Sequence, residues 1–262
     1  MENRKVLFEV EDNIAYITLN NPGSLNALDE SLLDELIEVM DESSDRTDVR
    51  TIIISGKGNA FSAGGDLNAL KNALEQEPEE CLGVVRKVGL AALRIRNARK
   101  PVIASIKGAA AGAGFNFALA CDFRICTEDA KFIQSFVNIG LVPDMGGTYL
   151  LTQMIGAAKA TELIMTGRTV EAKEALELGL VNKVVPGEDL EKATKEFANK
   201  LAQGPTKAFG NMKALVNRSA FSGLESILDN ELEYQINCAK TEDFKEGVSA
   251  FLEKRKPEFK GK

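Results

Sequence analysis

Pro101-Val-Ile-Ala-Ser-Ile106 is apolar or small at every position, with no charged residue to mark a wet face. Thr51-Ile-Ile-Ile-Ser55 has the same character, and Phe123-Arg-Ile-Cys-Thr127 follows a short apolar helical segment at Gly114 to Cys121. Strands of this kind are buried on both faces, as in parallel sheets covered by crossover helices. The segments between them have helical spacing. Asp29 through Ser43 places apolar residues at 32, 33, 36, 37 and 40 behind an acidic first turn, and a second helix is predicted from about Glu80 to Asn97. Toward the N-terminus, Val6 to Asn20 reads as two alternating runs around Asp12-Asn13, a β-hairpin. After Gly156 the pattern is helical almost throughout. Strands alternating with helices predict an α/β fold with a mostly parallel sheet. Residues 1–200 form its body and 201–262 a helical extension, with no linker rich in Pro, Gly or Ser between them, so the chain is expected to be one domain.

At 262 residues the chain can bury roughly three-quarters of its unfolded surface. A net charge of −7 gives no field to hold a phosphate backbone, so nucleic acid is not an expected partner. No run of eighteen apolar residues is present, so no membrane span is expected. Met1-Glu-Asn-Arg-Lys5 is charged where a signal peptide has its apolar run. Cys81, Cys121, Cys126 and Cys238 lack metal-ligand spacing and read as reduced thiols, which suits a cytoplasmic protein. The absence of histidine constrains mechanism most. It excludes Ser-His-Asp and Cys-His chemistry and any metal site that needs imidazole, and no metal is expected. Acid–base work falls to carboxylates, lysine, tyrosine or backbone amides.

Glycine clusters in three places: Gly56 to Gly65, Gly108 to Gly114, and Gly146-Gly147. None has the G-x-G-x-x-G of a dinucleotide fold or the G-K-[ST] of a P-loop. Such turns bring backbone N–H groups close to a ligand, and two meeting at one point make an oxyanion hole.

Asn59-Ala-Phe-Ser-Ala-Gly-Gly-Asp-Leu67, Lys100 through Gly114, and Gly140-Leu-Val-Pro-Asp-Met-Gly-Gly-Thr148 together resemble the crotonase, or enoyl-CoA hydratase/isomerase, superfamily. Asn21-Pro22, Asn26-Ala27-Leu28 and the tail Phe251 to Pro257 match it too, so the resemblance runs the length of the chain. It implies a crotonase-like spiral of ββα units, a C-terminal helical region that builds a homotrimer or dimer of trimers, and an acyl-CoA substrate with no cofactor beyond the substrate's own CoA. It implies that the amides of Ala63 and Ala113 grip the thioester carbonyl. It implies also that Ala27, Gly64, Gly65, Asp66, Leu67, Gly114, Asn116, Phe136 and Lys254 line the substrate and CoA site. As a residue type in its place, Asp66 reads as a cap on the helix after the Ala-Gly-Gly turn rather than as a catalyst.

The resemblance leaves the reaction open. Hydratases of this family hold a water between two glutamates, and the matching positions are Asn116 and Phe136. Asp144 instead stands where enoyl-CoA isomerases and the ring-modified phenylacetyl-CoA isomerases carry a lone acid, and Phe132 through Leu151 is most similar to the latter. One carboxylate between apolar walls can carry a proton from C2 to C4, and Phe115, Phe117, Phe132, Phe136 and Met145 suggest such walls. The alternatives are a hydratase using Asn116 and a water, an aryl-CoA dehalogenase (which would need a histidine), and a non-catalytic RNA-binding relative. The last uses a row of lysines on the first long helix, and residues 29–43 contain no Lys or Arg. Finally, Leu224, Ile227, Leu228, Leu232 and Ile236 form a stripe with no segment left to cover it, which is expected to be the oligomer interface.

Overall fold

The computed structural model describes residues 4–66, 69, 72 and 82–262; Leu67, Cys81 and the expected helix start at Glu80 lie outside the described residues. The hairpin forms from β1 (Val6–Glu11) and β2 (Ile14–Leu19), with Val6 opposite Leu19 and Glu11 opposite Ile14. Its turn residues Asp12 (φ 52°) and Asn13 (φ 64°) are both left-handed, as a two-residue hairpin turn with the native strand twist demands. Helix α1 (Glu30–Asp45) is capped by the Asp29 carboxylate, which accepts from Leu32 N at 2.9 Å. There follow β3 (Thr51–Gly56), β4 (Ala60–Ser62), α2 (Leu82–Asn97), β5 (Val102–Ile106), β6 (Ala109–Ala111), α3 (Ala113–Ala120), β7 (Phe123–Thr127), β8 (Lys131–Ile133) and a 3-10 turn (Ser135–Ile139). The rest is α4 (Gly147–Ile155), α5 (Ala157–Thr166), β9 (Thr169–Glu171), α6 (Ala172–Glu177), β10 (Lys183–Val185), α7 (Leu190–Ala202), α8 (Thr206–Ala220), α9 (Leu224–Ala239) and α10 (Glu242–Leu252).

Two sheets result, β1-β2-β3-β5-β7-β10 and β4-β6-β8-β9. Both are parallel except at the β1–β2 and β8–β9 pairs. Each coil of the chain gives one strand to the larger sheet and the next, shorter one to the smaller, the ββα spiral expected of the fold. The central strands β3 and β5 of the larger sheet are buried on both faces along most of their length. Ile52 and Ile54 join Leu32, Leu36, Ala92 and Ile95 of α1 and α2 on one side. Ile53, Ile103 and Ile125 meet Leu190, Ala193 and Ala198 of α7 on the other. That is why β3 reads as unbroken isoleucine. The ionic groups behind the sheet are tied together: Lys213 Nζ lies 2.7 Å and Arg96 Nη1 3.5 Å from the Asp122 carboxylate, which also accepts from Val102 N.

Two expectations change here. The α9 stripe is partly covered by its own chain: Leu224 is 4% exposed and belongs to the main core, and Leu228 packs on Gly89 of α2, while Ile227, Leu232 and Ile236 stay half-buried. The exposed apolar side chains lie on α8 instead, at Met212, Leu215 and Val216. Phe115, Phe117 and Phe132 are fully buried, stacked as Phe61–Phe117 and Phe115–Phe132, and so belong to the core rather than to a pocket wall. Cys121 and Cys126 are buried free thiols, both pushed up to about 12 by burial. Among the described residues no helix is long and apolar enough to cross a membrane.

Candidate active site

β4 and β6 pair side by side, and their C-terminal ends bring residues 62–66 against residues 111–114. Only glycine permits this contact. A Cβ on Gly64 (φ 94°) would lie 2.6 Å from Ala111 O and 3.3 Å from Ala113 N; one on Gly114 would lie 2.4 Å from Ser62 O. Gly112 accepts from Phe115 N and Asn116 N, so α3 starts there and the N–H of Ala113, in its first turn, has no intrahelical acceptor. The positive end of the short helix faces the same way.

The other donor is not Ala63. Its N–H is committed to Leu25 O at 2.9 Å, and the next, Gly64 N, donates to Ser62 Oγ at 3.2 Å. Gly65 follows, exposed, with open space around its Cα and no acceptor for its N–H among the described residues. The turn therefore offers the amide of Gly65, two residues beyond the expected position. Ala27 is buried alongside, with Leu28 N bonded to Gly64 O at 2.7 Å. Asp66 acts as a cap, accepting from Ala69 N at 3.0 Å. The Phe136 ring stands beside Gly112, 3.7 Å from where its Cβ would be. Lys254 is exposed just beyond α10.

Asp144 sits immediately before α4. Met145 (φ 57°) and Gly146 (φ 73°) are left-handed and turn the chain into the helix, whose Gly147 N donates to Asp144 O at 2.8 Å. The same carbonyl accepts from Asn116 Nδ2 at 2.9 Å, and Asn116 Oδ1 accepts from Gln134 Nε2 at 2.7 Å. Asn116 is fully buried, and a Cβ on Gly147 would fall 2.1 Å from its amide. Its side chain thus holds the Asp144 turn against α3 rather than facing a substrate, which corrects the expectation for that residue. Asp144 Oδ1 is buried with no hydrogen-bond partner among the described residues. Burial raises this carboxyl to about 7, a backbone hydrogen bond opposing the shift. The residue lines a cavity of about 330 Å³ that has an apolar side, from Val85, Leu90 and Leu93 of α2, Leu228 and Leu232 of α9, and Met145, and a charged side, from Arg86, Glu225, Asp229 and Glu231. The volume and the apolar side suit an acyl group. A larger concavity, about 870 Å³, lies over the sheet between Tyr16, Ser55, Ser105, Thr194 and Lys195 and shares no residue with it.

One residue of this cavity escaped the sequence reading. Glu231 of α9 is 6% exposed, its Oε2 accepting from Gly146 N at 2.7 Å while Oε1 is buried without a partner among the described residues. Its signal is a carboxylate within the apolar stripe, seven residues after Leu224 on the same helix face.

A family model for enoyl-CoA hydratase/isomerase matches residues 9–262. The chain is 40% identical to a trans-2-decenoyl-[acyl-carrier-protein] isomerase of Streptococcus mutans, over 100% of both chains. It is 37% identical to a 1,2-epoxyphenylacetyl-CoA isomerase of Escherichia coli over 98% of each, and 37% identical to a short-chain-enoyl-CoA hydratase of Clostridium acetobutylicum over 98% of each. A crystal structure of an enoyl-CoA hydratase from Mycobacterium avium subsp. paratuberculosis superimposes with a TM-score of 0.89 at 29% identity, over 98% of both chains.

Proposed function

The chain belongs to the enoyl-CoA hydratase/isomerase family, and from that premise we propose that it is an isomerase, moving a carbon–carbon double bond within an enoyl thioester with Asp144 as its single base. The thioester carbonyl accepts from the amides of Gly65 and Ala113. The Asp144 carboxylate takes a proton from the carbon between the double bond and the thioester. The electron pair released moves onto the carbonyl oxygen, where the two fixed donors meet the enolate charge. By analogy with oxyanion holes elsewhere, one donor is worth ~2.7–4 kcal/mol. Asp144, now the acid, returns the proton to the far carbon as the double bond shifts. No water takes part. A carboxyl raised to about 7 can both accept and return a proton near neutrality.

The observation that carries this reading is that Asp144, one oxygen of it buried without a partner among the described residues, lines a cavity with an apolar side, on a turn fastened to the helix that presents the Ala113 amide. The hydratase reading lacks its pair of acids, because residue 116 is a buried asparagine bonded elsewhere and residue 136 is phenylalanine. Two of the relatives carry isomerase names, one on an acyl-carrier-protein thioester and one on a CoA thioester, so the acyl carrier is either. Lys254 is assigned to a CoA phosphate, and a trimer is assigned to the exposed α8 face. The test offers one purified sample 3-enoyl thioesters of CoA and of acyl carrier protein, 2-enoyl-CoA, and ring-oxidised phenylacetyl-CoA. Isomerisation well above hydration supports the reading; hydration of crotonyl-CoA at the rate of a dedicated hydratase overturns it.

A further inference from the structure

Glu231 and Asp144 come from segments 87 positions apart, yet both line the same cavity, and each keeps one carboxyl oxygen buried without a hydrogen-bond partner among the described residues. Glu231 Oε2 is held by Gly146 N at 2.7 Å, and the Thr148 N–H reaches the same carboxyl. These are N–H groups at the start of α4, the helix that the Asp144 turn leads into. We propose that Glu231 is the partner carboxyl of Asp144: one oxygen anchors the Asp144 turn, the other keeps a proton, and the pair enters the reaction with a single negative charge. The proposal rests on the reading of Asp144 as the base.

Burial raises Glu231 to about 8; the amides of Gly146 and Thr148 oppose the shift, and a charge on Asp144 adds to it. The other charged groups at this cavity are Arg86 of α2, and Glu225 and Asp229 of α9 itself. Among the described residues no salt bridge reaches Glu231, whose hydrogen bonds come from backbone N–H groups alone. Two carboxyls in one poorly hydrated space ionise in sequence, not together. Once Asp144 is charged, Glu231 keeps its proton. A second charge would repel the enolate and oppose entry of an apolar acyl group. Glu231 acts through Asp144 and its turn, as a positioning residue.

The test uses the full-length protein with ¹³C-labelled carboxyls, together with kcat/KM profiles on 3-enoyl-CoA, in the parent, Glu231→Gln, Glu231→Leu and Asp144→Asn. The Glu231 resonance should titrate near 8 in the parent and at least one pH unit lower in Asp144→Asn, a shift that needs no activity to be seen. The parental kcat/KM should fall above that pH. Glu231→Gln keeps an oxygen for Gly146 N but cannot ionise, so its alkaline fall should vanish. Glu231→Leu loses the anchor as well and should lose about tenfold in kcat at every pH. A Glu231 resonance titrating near 4, one unmoved by Asp144→Asn, or an alkaline fall that survives in Glu231→Gln would overturn the pairing. An Asp144→Asn variant that isomerises normally would instead remove the base assignment, leaving the carboxyl titrations to decide the pairing by themselves.

Discussion

Replacing Asp144 by asparagine should stabilise the protein in alkali while disabling it. The carboxyl is raised from 3.8 to about 7 in the folded chain, so folding favours its protonated form. That contribution is fully present below about pH 4, where the carboxyl is protonated folded or unfolded. It is lost as pH rises through about 7. Above that, the folded state must hold a charge in the 330 Å³ cavity that the unfolded chain would give to water. At ~1.36 kcal/mol per pKa unit the rise amounts to about 4 kcal/mol. Asp144 is partly open to the cavity, and screening reduces the expected gain to about 2–3 kcal/mol. Asparagine has the same shape and no charge to desolvate. Urea unfolding of the two proteins at one concentration should give matching stability at pH 4 and an advantage of that size for Asp144→Asn at pH 8.5. Equal stability at pH 8.5, or an advantage independent of pH, would refute the claim that this carboxyl is held desolvated.

Gly147→Ala places a methyl 2.1 Å from the Asn116 amide; the clash should lower stability by ~2–3 kcal/mol in the same urea assay and release the Asp144 turn. Gly64→Ala drives a Cβ to 2.6 Å from Ala111 O at φ 94°, prising apart the segments that bear the Gly65 and Ala113 amides. Its kcat should fall ~10²-fold, the scale of one lost oxyanion donor, with the far-ultraviolet spectrum unchanged. Leu215→Glu, on the α8 face where that leucine is 67% exposed, should shift a trimer toward monomers in light scattering at micromolar concentration; a parent already monomeric would remove the trimer assignment.

The centre of the larger sheet was legible because burial on both faces leaves β3 and β5 no charged position, and Ile52, Ile53 and Ile54 say so directly. The smaller sheet was not: β4, β6, β8 and β9 are three residues each, too short for any period to show. Asp144 could be found from its neighbours Pro143 and Gly146-Gly147. The oxyanion donor was displaced by two residues, because which amide remains free depends on Leu25 O and Ser62 Oγ, acceptors that only the folded turn brings near. The α9 stripe lacks a visible partner in the sequence because α2, which meets Leu228, lies more than a hundred residues earlier. Glu231 stood within that stripe as a visible anomaly. Its meaning required Gly146 beside it.

Proton transfer by Asp144 at the carbon next to the thioester is the central step, and exchange in heavy water measures it apart from product formation. A 3-enoyl-CoA incubated with the parent in D₂O should isomerise and exchange deuterium at its acidic carbon, followed by proton NMR. Asp144→Asn should bind the same thioester with little change, since the amides of Gly65 and Ala113 are untouched, yet lose both isomerisation and exchange by ~10²-fold or more. An Asp144→Asn protein that exchanges and isomerises at the parental rate would contradict the account at its centre.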